Sequence, residues 1–502
     1  MKKIFALLMT TLLCISLCSC TKQYDQAMEL MELVEDQRYD EAHELLNQMA
    51  GEGGNVWVPD YSYQGNDSKD TVDNSSVADN MPTDDAPVIS ESSEPEGPKE
   101  IPITGVELSA TELNLETLET AALTAKVVPE DTTESFGSIK WSSSDESVVT
   151  VSYWDGTVKA VGNGTATITA TVGDYVGTCT VTVNNPTIAT VEELLSYEDF
   201  EQGVVYEIVA DMDMNGQSFP ENCGNVYGTI EGNGHTISGV KDKALFQSNQ
   251  GTIRNLTVEV DIHVEQRETD TRVSVAGLVG YNGGTLENCV AKGSIFVACE
   301  NMTVGGITSG SHGTVYRCGN EVDITLDGML VNPLGIETAG GCGQVAGVST
   351  SASSLTECYN TGDITILNCS SVNVGGLVYD QYEVLKDCYN TGNVRYENTK
   401  FDEYNGGIGY DLEHAENCLN FGNYLGGICY RTMGTYLVDC YYLESASLNG
   451  AIADSSQMDP NRVRVHGLSD TAALLQESYP TLDFENVWVM SEGGYPILRW
   501  QQ

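Results

Sequence analysis

The chain has 502 residues, room for two to four domains. Its 73 acids against 23 bases give a net charge of −50. That balance argues against nucleic acid, whose phosphates need clustered Lys and Arg, and against docking on anionic lipid. It fits a solvated extracellular surface.

The first residues read as an export signal. Lys2 and Lys3 form a positive n-region, and Ile4 to Leu17 is an apolar segment too short for an ordinary spanning helix. Leu17-Cys18-Ser19-Cys20 resembles a bacterial lipobox. The resemblance implies removal of residues 1–19 and a diacylglycerol thioether on Cys20; the alternative is a plain secretory signal cleaved nearby. Several acyl chains hold a protein to a membrane far better than one. No later stretch is apolar enough to span a bilayer, so Cys20 is the expected anchor on the extracellular face of the cell membrane.

Residues 20–50 carry two helically spaced apolar sets, Ala27, Leu30, Met31, Val34 and Ala42, Leu45, Leu46, Met49. Asp36 to Arg38 mark the break, and Tyr39-Asp40-Glu41-Ala42 resembles the start of a tetratricopeptide helix. One such helical hairpin cannot bury its apolar face alone, so it dimerises, docks on a partner or stays marginal. Residues 51–100 are rich in Ser, Asp, Glu, Pro and Gly and read as a disordered linker. Over residues 21–100 there are 20 acids and 4 bases, a net of −16 whose self-repulsion extends the tether.

Residues 101–184 show short alternating runs, among them Ala122 to Val128, Val148 to Val151, Ala166 to Val172 and Thr178 to Val183. Turns such as Asp155-Gly156 and Gly162-Asn163-Gly164 separate them, the spacing of a β-sandwich. The stretches ITGVELSATELNL, IKWSSSDESVVTV and GTVKAVGNGTATITA resemble a group 2 bacterial Ig-like domain. That resemblance implies surface display, as a stalk or an adhesion module, with Trp141 as the core tryptophan. Trp154, in the Tyr153-Trp154-Asp155-Gly156 turn, is expected to be more exposed. Cys179 has no partner within the domain and is expected as a buried thiol.

Residues 185–502 begin with a helix-like stretch, Val191 to Tyr197, placed to cover the first strand edge, and a strand from Val204 to Val209. Asp211-x-Asp213-x-Asn215-Gly216 copies the opening of a calcium loop. Its twelfth position is Asn222 rather than Glu and a strand precedes it, so a corner turn is the better reading. Between residues 274 and 443 a unit recurs six times. It opens on a small pair: Ala276-Gly277, Gly305-Gly306, Gly340-Gly341, Gly375-Gly376, Gly406-Gly407 and Gly426-Gly427. The cysteines Cys289, Cys318, Cys358, Cys388, Cys418 and Cys440 follow after 13, 13, 18, 13, 12 and 14 residues. From cysteine to the next pair the intervals are 16, 22, 17, 18 and 8. Such a period means a solenoid. The constant part is the shared core wall, and the variable part carries loops, the longest around Asp327 to Thr338 with Pro333.

Equivalent positions of successive coils stack about 4.8 Å apart. The six cysteines then form an inward ladder of unpaired thiols; the alternative, disulfides, needs converging Cβ vectors that in-register strands do not offer. Asn320, Asn360, Asn390 and Asn420, two residues on, form an inward corner ladder of amides, with the turn at Gly362, Gly392 and Gly422. The residues between point outward: Gly319, Tyr359, Tyr389 and Leu419, with Tyr441 one coil on. Tyr359, Tyr389 and Tyr441 are the candidate binding strip, an amphipathic surface suited to sugar rings or a protein edge unless neighbouring loops cover it. CYNTGDI, CYNTGNV and the ending FENVWVMSEGGYPILRW, from Phe484 to Trp500, resemble right-handed parallel β-helix proteins with GLUG-type repeats. Such repeats occur in adhesins and in non-catalytic parts of large surface peptidases.

Residues 185–502 hold 42 acids and 14 bases, without the Arg/Lys cluster at coil-equivalent positions that a polysaccharide lyase needs. Carboxylates of different coils that converge as in a glycosidase are left open. His43-Glu44 lacks the second His of a zinc motif, and no Gly-x-Ser-x-Gly elbow follows a strand. No catalytic residue, cofactor or metal is assigned. The expectation is a mainly β, lipid-anchored, tether-displayed surface protein, with an Ig-like spacer at 101–184 and a parallel β-helix at 185–502. Its expected activity is non-covalent adhesion to an extracellular glycan or surface protein. The rival is a carbohydrate-active β-helix enzyme, and the third possibility a passive spacer.

Overall fold

The computed structural model describes residues 100–266, 272–299, 301–331, 337–339, 341–399, 404–455 and 459–502. The expected export signal, lipid-bearing Cys20, helical hairpin and nearly all of the acidic linker lie outside the described residues. What is described is mainly β: an Ig-like sandwich, then a long stack of parallel strands.

In the sandwich one sheet joins Glu112–Glu116, Tyr175–Asn184, Gly164–Val172 and Lys140–Ser143, and another joins Thr120–Ala122, Thr157–Ala160 and Val149–Val151. Alternation along the strands puts Ala166, Ile168, Ala170 and Val172 into the core with Cys179, Val181 and Val183. Trp141 is 6% exposed in that core, Trp154 is 78% exposed, and Cys179 is a buried free thiol, as the sequence led us to expect. Gly156 closes the turn beside Trp141 at φ 72°, where a Cβ would run into the indole.

From Thr187 to Leu468 the chain winds as a parallel β-helix, each strand pairing with its equivalent one coil later. Thr252–Arg254, Thr285–Glu287 and Thr314–Tyr316 stack in register, as do Thr257–Gln266, Val290–Cys299 and Gly319–Asp327. The helix Val191–Ser196, held by a Thr190/Glu193 capping box, buries Val191 and Leu194 in the solenoid. One apolar cluster runs through the coils from Ile188 to Ile452. The Asp211 segment is a corner: Asp213 accepts the Asn215 amide at 2.8 Å, and Asn215 and Gly216 are left-handed at φ 47° and 77°.

Strand pairing corrects one repeat. Gly305 is level with Ala346, and Ala346 with Gly375. The small pair of the third coil is therefore Ala346-Gly347, not Gly340-Gly341, and its interval to Cys358 is 12 residues rather than 18. All six intervals then fall between 12 and 14. The extra length lies ahead of the pair, where Met329–Val331 and Glu337–Ala339 form an antiparallel hairpin. Gly341 opens the strand Gly341–Ala346 and is level with Ser371, ahead of the wall pair, so adjacent glycines alone misplaced the register.

The fixed interval has a steric cause. A Cβ on Gly306 would strike Asn320, one on Gly347 would strike Asn360, and one on Gly407 would strike Asn420. The glycine side and the Cys-x-Asn side of a coil touch, so neither can drift past the other. The asparagines form the expected ladder: Asn320 Nδ2 donates to Asn360 Oδ1 at 2.7 Å, Asn360 to Asn390 at 2.7 Å, and Asn390 to Asn420 at 2.8 Å.

The six repeat cysteines are buried free thiols. Each donates to the carbonyl two residues earlier, at distances from 3.2 Å for Cys388 to 3.7 Å for Cys440. The left-handed corner falls just before each cysteine: Asn288, Arg317, Glu357, Asp387, Asn417 and Asp439 have φ between 51° and 54°. Gly362, Gly392 and Gly422 serve close approach instead, because a Cβ there would meet a carbonyl of the preceding coil. Cys369, outside this ladder, is disulfide-bonded.

Candidate binding face

Tyr359, Tyr389, Leu419 and Tyr441 do lie level on successive coils, and the rings of Tyr359 and Tyr389 stack 5.5 Å apart at 10°. They are not a free surface, since the three tyrosines are 3%, 2% and 1% exposed. The chain beyond Leu468 folds back over them. Trp500 packs on Tyr359, Trp488 on Tyr389, and Tyr479 on Tyr441. Polar ends fix this strap: Trp500 Nε1 donates to the Glu357 carbonyl at 3.0 Å, Trp488 Nε1 to Asp387 at 3.3 Å, and Gln501 Nε2 to Tyr389 Oη at 2.9 Å. Ladder and strap together form a separate core. The candidate strip of Tyr359, Tyr389 and Tyr441 is thus an internal seam, because covering stacked rings with two tryptophans removes apolar surface from water. Burial under the strap pushes the Asp387 carboxyl up to about 6.

A second tyrosine ladder stands on another wall of the coils. Tyr379, Tyr410 and Tyr430 each lie four residues after the first glycine of a pair, in Gly375-Gly376-Leu377-Val378-Tyr379, Gly406-Gly407-Ile408-Gly409-Tyr410 and Gly426-Gly427-Ile428-Cys429-Tyr430. The pair fixes the coil's height, and the apolar residues after it point inward, so each tyrosine emerges level with the last. Tyr379 and Tyr410 stack at 5.1 Å, Tyr410 and Tyr430 at 5.2 Å, and Tyr404 meets Tyr430 edge-on. The middle ring is buried between its neighbours, which raises the Tyr410 hydroxyl to about 12. Among the described residues Tyr410 is 7% exposed and Tyr379 and Tyr430 are half-buried, while Tyr382 is 49% and Tyr436 47% exposed farther along the same strands. The sequence reading missed these residues, although the signal was in the constant half of the repeat.

Charged groups run beside the rings. Asp380, Asp411, Arg431 and Asp454 occupy one row on successive coils. Arg431 Nε donates to Asp411 at 2.9 Å, and its guanidinium lies 5.2 Å from the Tyr410 ring centre. Burial raises the Asp411 carboxyl, against the pull of Arg431 and with the help of the Asp380 charge. Tyr382 Oη donates to Asp380 Oδ2 at 2.8 Å. Tyrosine and arginine around a carboxylate row make a surface fit for non-covalent recognition, since these residue types dominate binding hot spots.

Other parts of the solenoid offer less. A depression of about 300 Å³ is lined by Phe219, Cys223, Lys243, Phe246 and Ser274, but its lysine is spent on the Phe219 carbonyl at 2.6 Å. Among the described residues no group of three or more His, Cys, Asp or Glu is placed to hold a metal.

Comparison with known proteins agrees with the first domain. Residues 102–183 match the bacterial Ig-like domain (group 2) family. No curated protein is significantly similar in sequence to the chain. Among solved structures, a candidate immunoglobulin A1 protease from Bacteroides ovatus is similar at 15% identity and a TM-score of 0.38, over 64% of this chain and 93% of that one.

Proposed function

We propose that this is a lipid-anchored protein of the bacterial cell surface, whose β-solenoid binds a glycan or protein non-covalently. Its N-terminal sequence supplies the anchor through Cys20, the acidic segment to residue 100 the tether, and the Ig-like domain the spacer. The GLUG-type resemblance of the repeats fits such a display role. The disulfide at Cys369 is consistent with an oxidising, exported location. The observation that carries the recognition reading is the pair of exposed rings, Tyr382 and Tyr436, on the strands that hold the stacked Tyr379, Tyr410 and Tyr430. Exposed aromatic groups of this kind mark interaction sites. Full-length protein, screened on a glycan array and in pull-downs of surface proteins, should retain a ligand that a Tyr382→Ala/Tyr436→Ala variant loses. Equal retention by the variant would move the binding surface elsewhere.

A second reading rests on one observation. Asp380 and Asp411 sit level on adjacent coils, and burial raises the Asp411 carboxyl. A raised carboxyl beside a second carboxylate suits acid–base cleavage of a glycosidic bond. Against it, Asp411 is 6% exposed and bound to Arg431 at 2.9 Å. New reducing ends from a neutral polysaccharide, abolished by Asp411→Asn, would make this the better reading.

A further inference from the structure

We infer that the Tyr379, Asp380 and Tyr382 end of the open face receives an arginine side chain from a basic protein segment. This rests on the recognition reading above and gives the partner a chemistry. The chain itself shows how it holds a guanidinium. Arg317 lies 4.8 Å from the Tyr316 ring centre and pairs with Glu357 at 2.8 Å. Arg431 lies 5.2 Å from Tyr410 and pairs with Asp411 at 2.9 Å. Arg462 lies 4.8 Å from Tyr436 and pairs with Asp459 at 3.4 Å. In all three a tyrosine face and a carboxylate act together on one planar cation, which an ammonium group satisfies less well.

At Tyr382 the ring and the carboxylate are assembled without the cation. Tyr382 is 49% exposed, and its hydroxyl donates to Asp380 at 2.8 Å. Asp380 and Glu413, both acids, act on its hydroxyl together with Tyr379. Among the described residues Asp380 makes no ion pair with a Lys or Arg, whereas Asp411 does. Coil register explains the difference. Asp411 finds Arg431 one coil on, but Asp380 finds Asp411 there. Among the described residues the row therefore ends in an acid beside tyrosine rings, with no ion-pair partner. A net charge of −50 adds long-range attraction for a basic partner, and a neutral sugar would leave the carboxylates unanswered.

The test uses the full-length protein at physiological salt with fluorescent oligoarginine, oligolysine of equal charge, and a neutral gluco-oligosaccharide. Oligoarginine should bind more tightly than oligolysine. Asp380→Asn and Tyr382→Ala should each weaken oligoarginine about three- to tenfold. Glu259→Gln, an exposed acid on another part of the solenoid, should leave it unchanged. Equal affinity for both peptides, unchanged by Asp380→Asn and Tyr382→Ala, would reduce the effect to bulk charge and overturn the inference. Binding of the neutral sugar, lost in Tyr382→Ala and kept in Asp380→Asn, would overturn it while leaving the recognition reading intact. Failure to bind oligoarginine at all also overturns it.

Discussion

The solenoid carries two tyrosine ladders built by the same rule and used in opposite ways. Tyr359, Tyr389 and Tyr441 follow the cysteines; Tyr379, Tyr410 and Tyr430 follow the glycine pairs. Both gain their spacing from strand register, with stacked centroids 5.1 to 5.5 Å apart. The first ladder has apolar company, including Leu419, Phe421 and Leu443, and the chain's own strap seals it. The second has Asp380, Asp411 and the paired Arg431 alongside. Periodicity sets the distance between rings; the residues beside them decide whether the rings meet protein or water.

Breaking the seal should have the largest effect. Trp488 is fully buried, packs on Tyr389 and donates to Asp387. Trp488→Ala should cost about 3–5 kcal/mol of strap stability. It should also turn the sealed ladder into a second open one. Hydrogen exchange at residues 359–361, 389–391 and 419–421 checks this: protection there should fall while the sandwich is unaffected. A further break lies in the amide ladder that packs against the glycine pairs. Asn390→Ala strands the Asn360 donor and the Asn420 acceptor inside the coil. A loss of about 2–3 kcal/mol is expected in denaturant unfolding, with both ladders loosened together.

The seal also has a pH dependence of definite sign. The folded pKa of Asp387, about 6, lies above its ordinary 3.8 because of burial. The folded state therefore binds this proton more tightly. Stability from this group is present at low pH and is lost as pH rises from about 4 through 6. Asp387→Asn should raise the melting temperature at pH 7.5, by an amount corresponding to at most about 3 kcal/mol, and change little at pH 3.5. A variant less stable at neutral pH would mean that the ionised carboxylate is needed by Trp488 and Asn417.

How far the sequence discloses these features follows from the range of the interactions that fix them. The sandwich was legible because alternation and turn chemistry are local, and Trp141 is the core tryptophan that the resemblance implied. The thiol and amide ladders were legible because a repeat at near-constant spacing stacks on itself. The third glycine pair was misread because glycines also occur earlier in the same strand, and only strand register and the contact between Gly347 and Asn360 decide which pair belongs to the wall. The seal on Tyr359 and Tyr389 was not legible, since its bonds join residues 143 and 112 positions apart. The second ladder was legible in principle, one tyrosine four residues after the first glycine of each of three pairs.

The smallest expected change in stability sharpens the contrast most. Tyr359→Ala would open a cavity beneath Trp500 and remove the hydroxyl bonded to Glu321 at 2.7 Å, so it should destabilise by about 3 kcal/mol or more. Tyr382→Ala removes a half-exposed ring from the other wall. Its melting curve should match that of the parent within about 0.5 kcal/mol, as for surface positions away from packed features. If Tyr382→Ala proved as costly as Tyr359→Ala, the open face would be structural after all. If it is silent in stability and loses the ligand, Tyr382 serves binding rather than folding, since the one substitution separates the two roles.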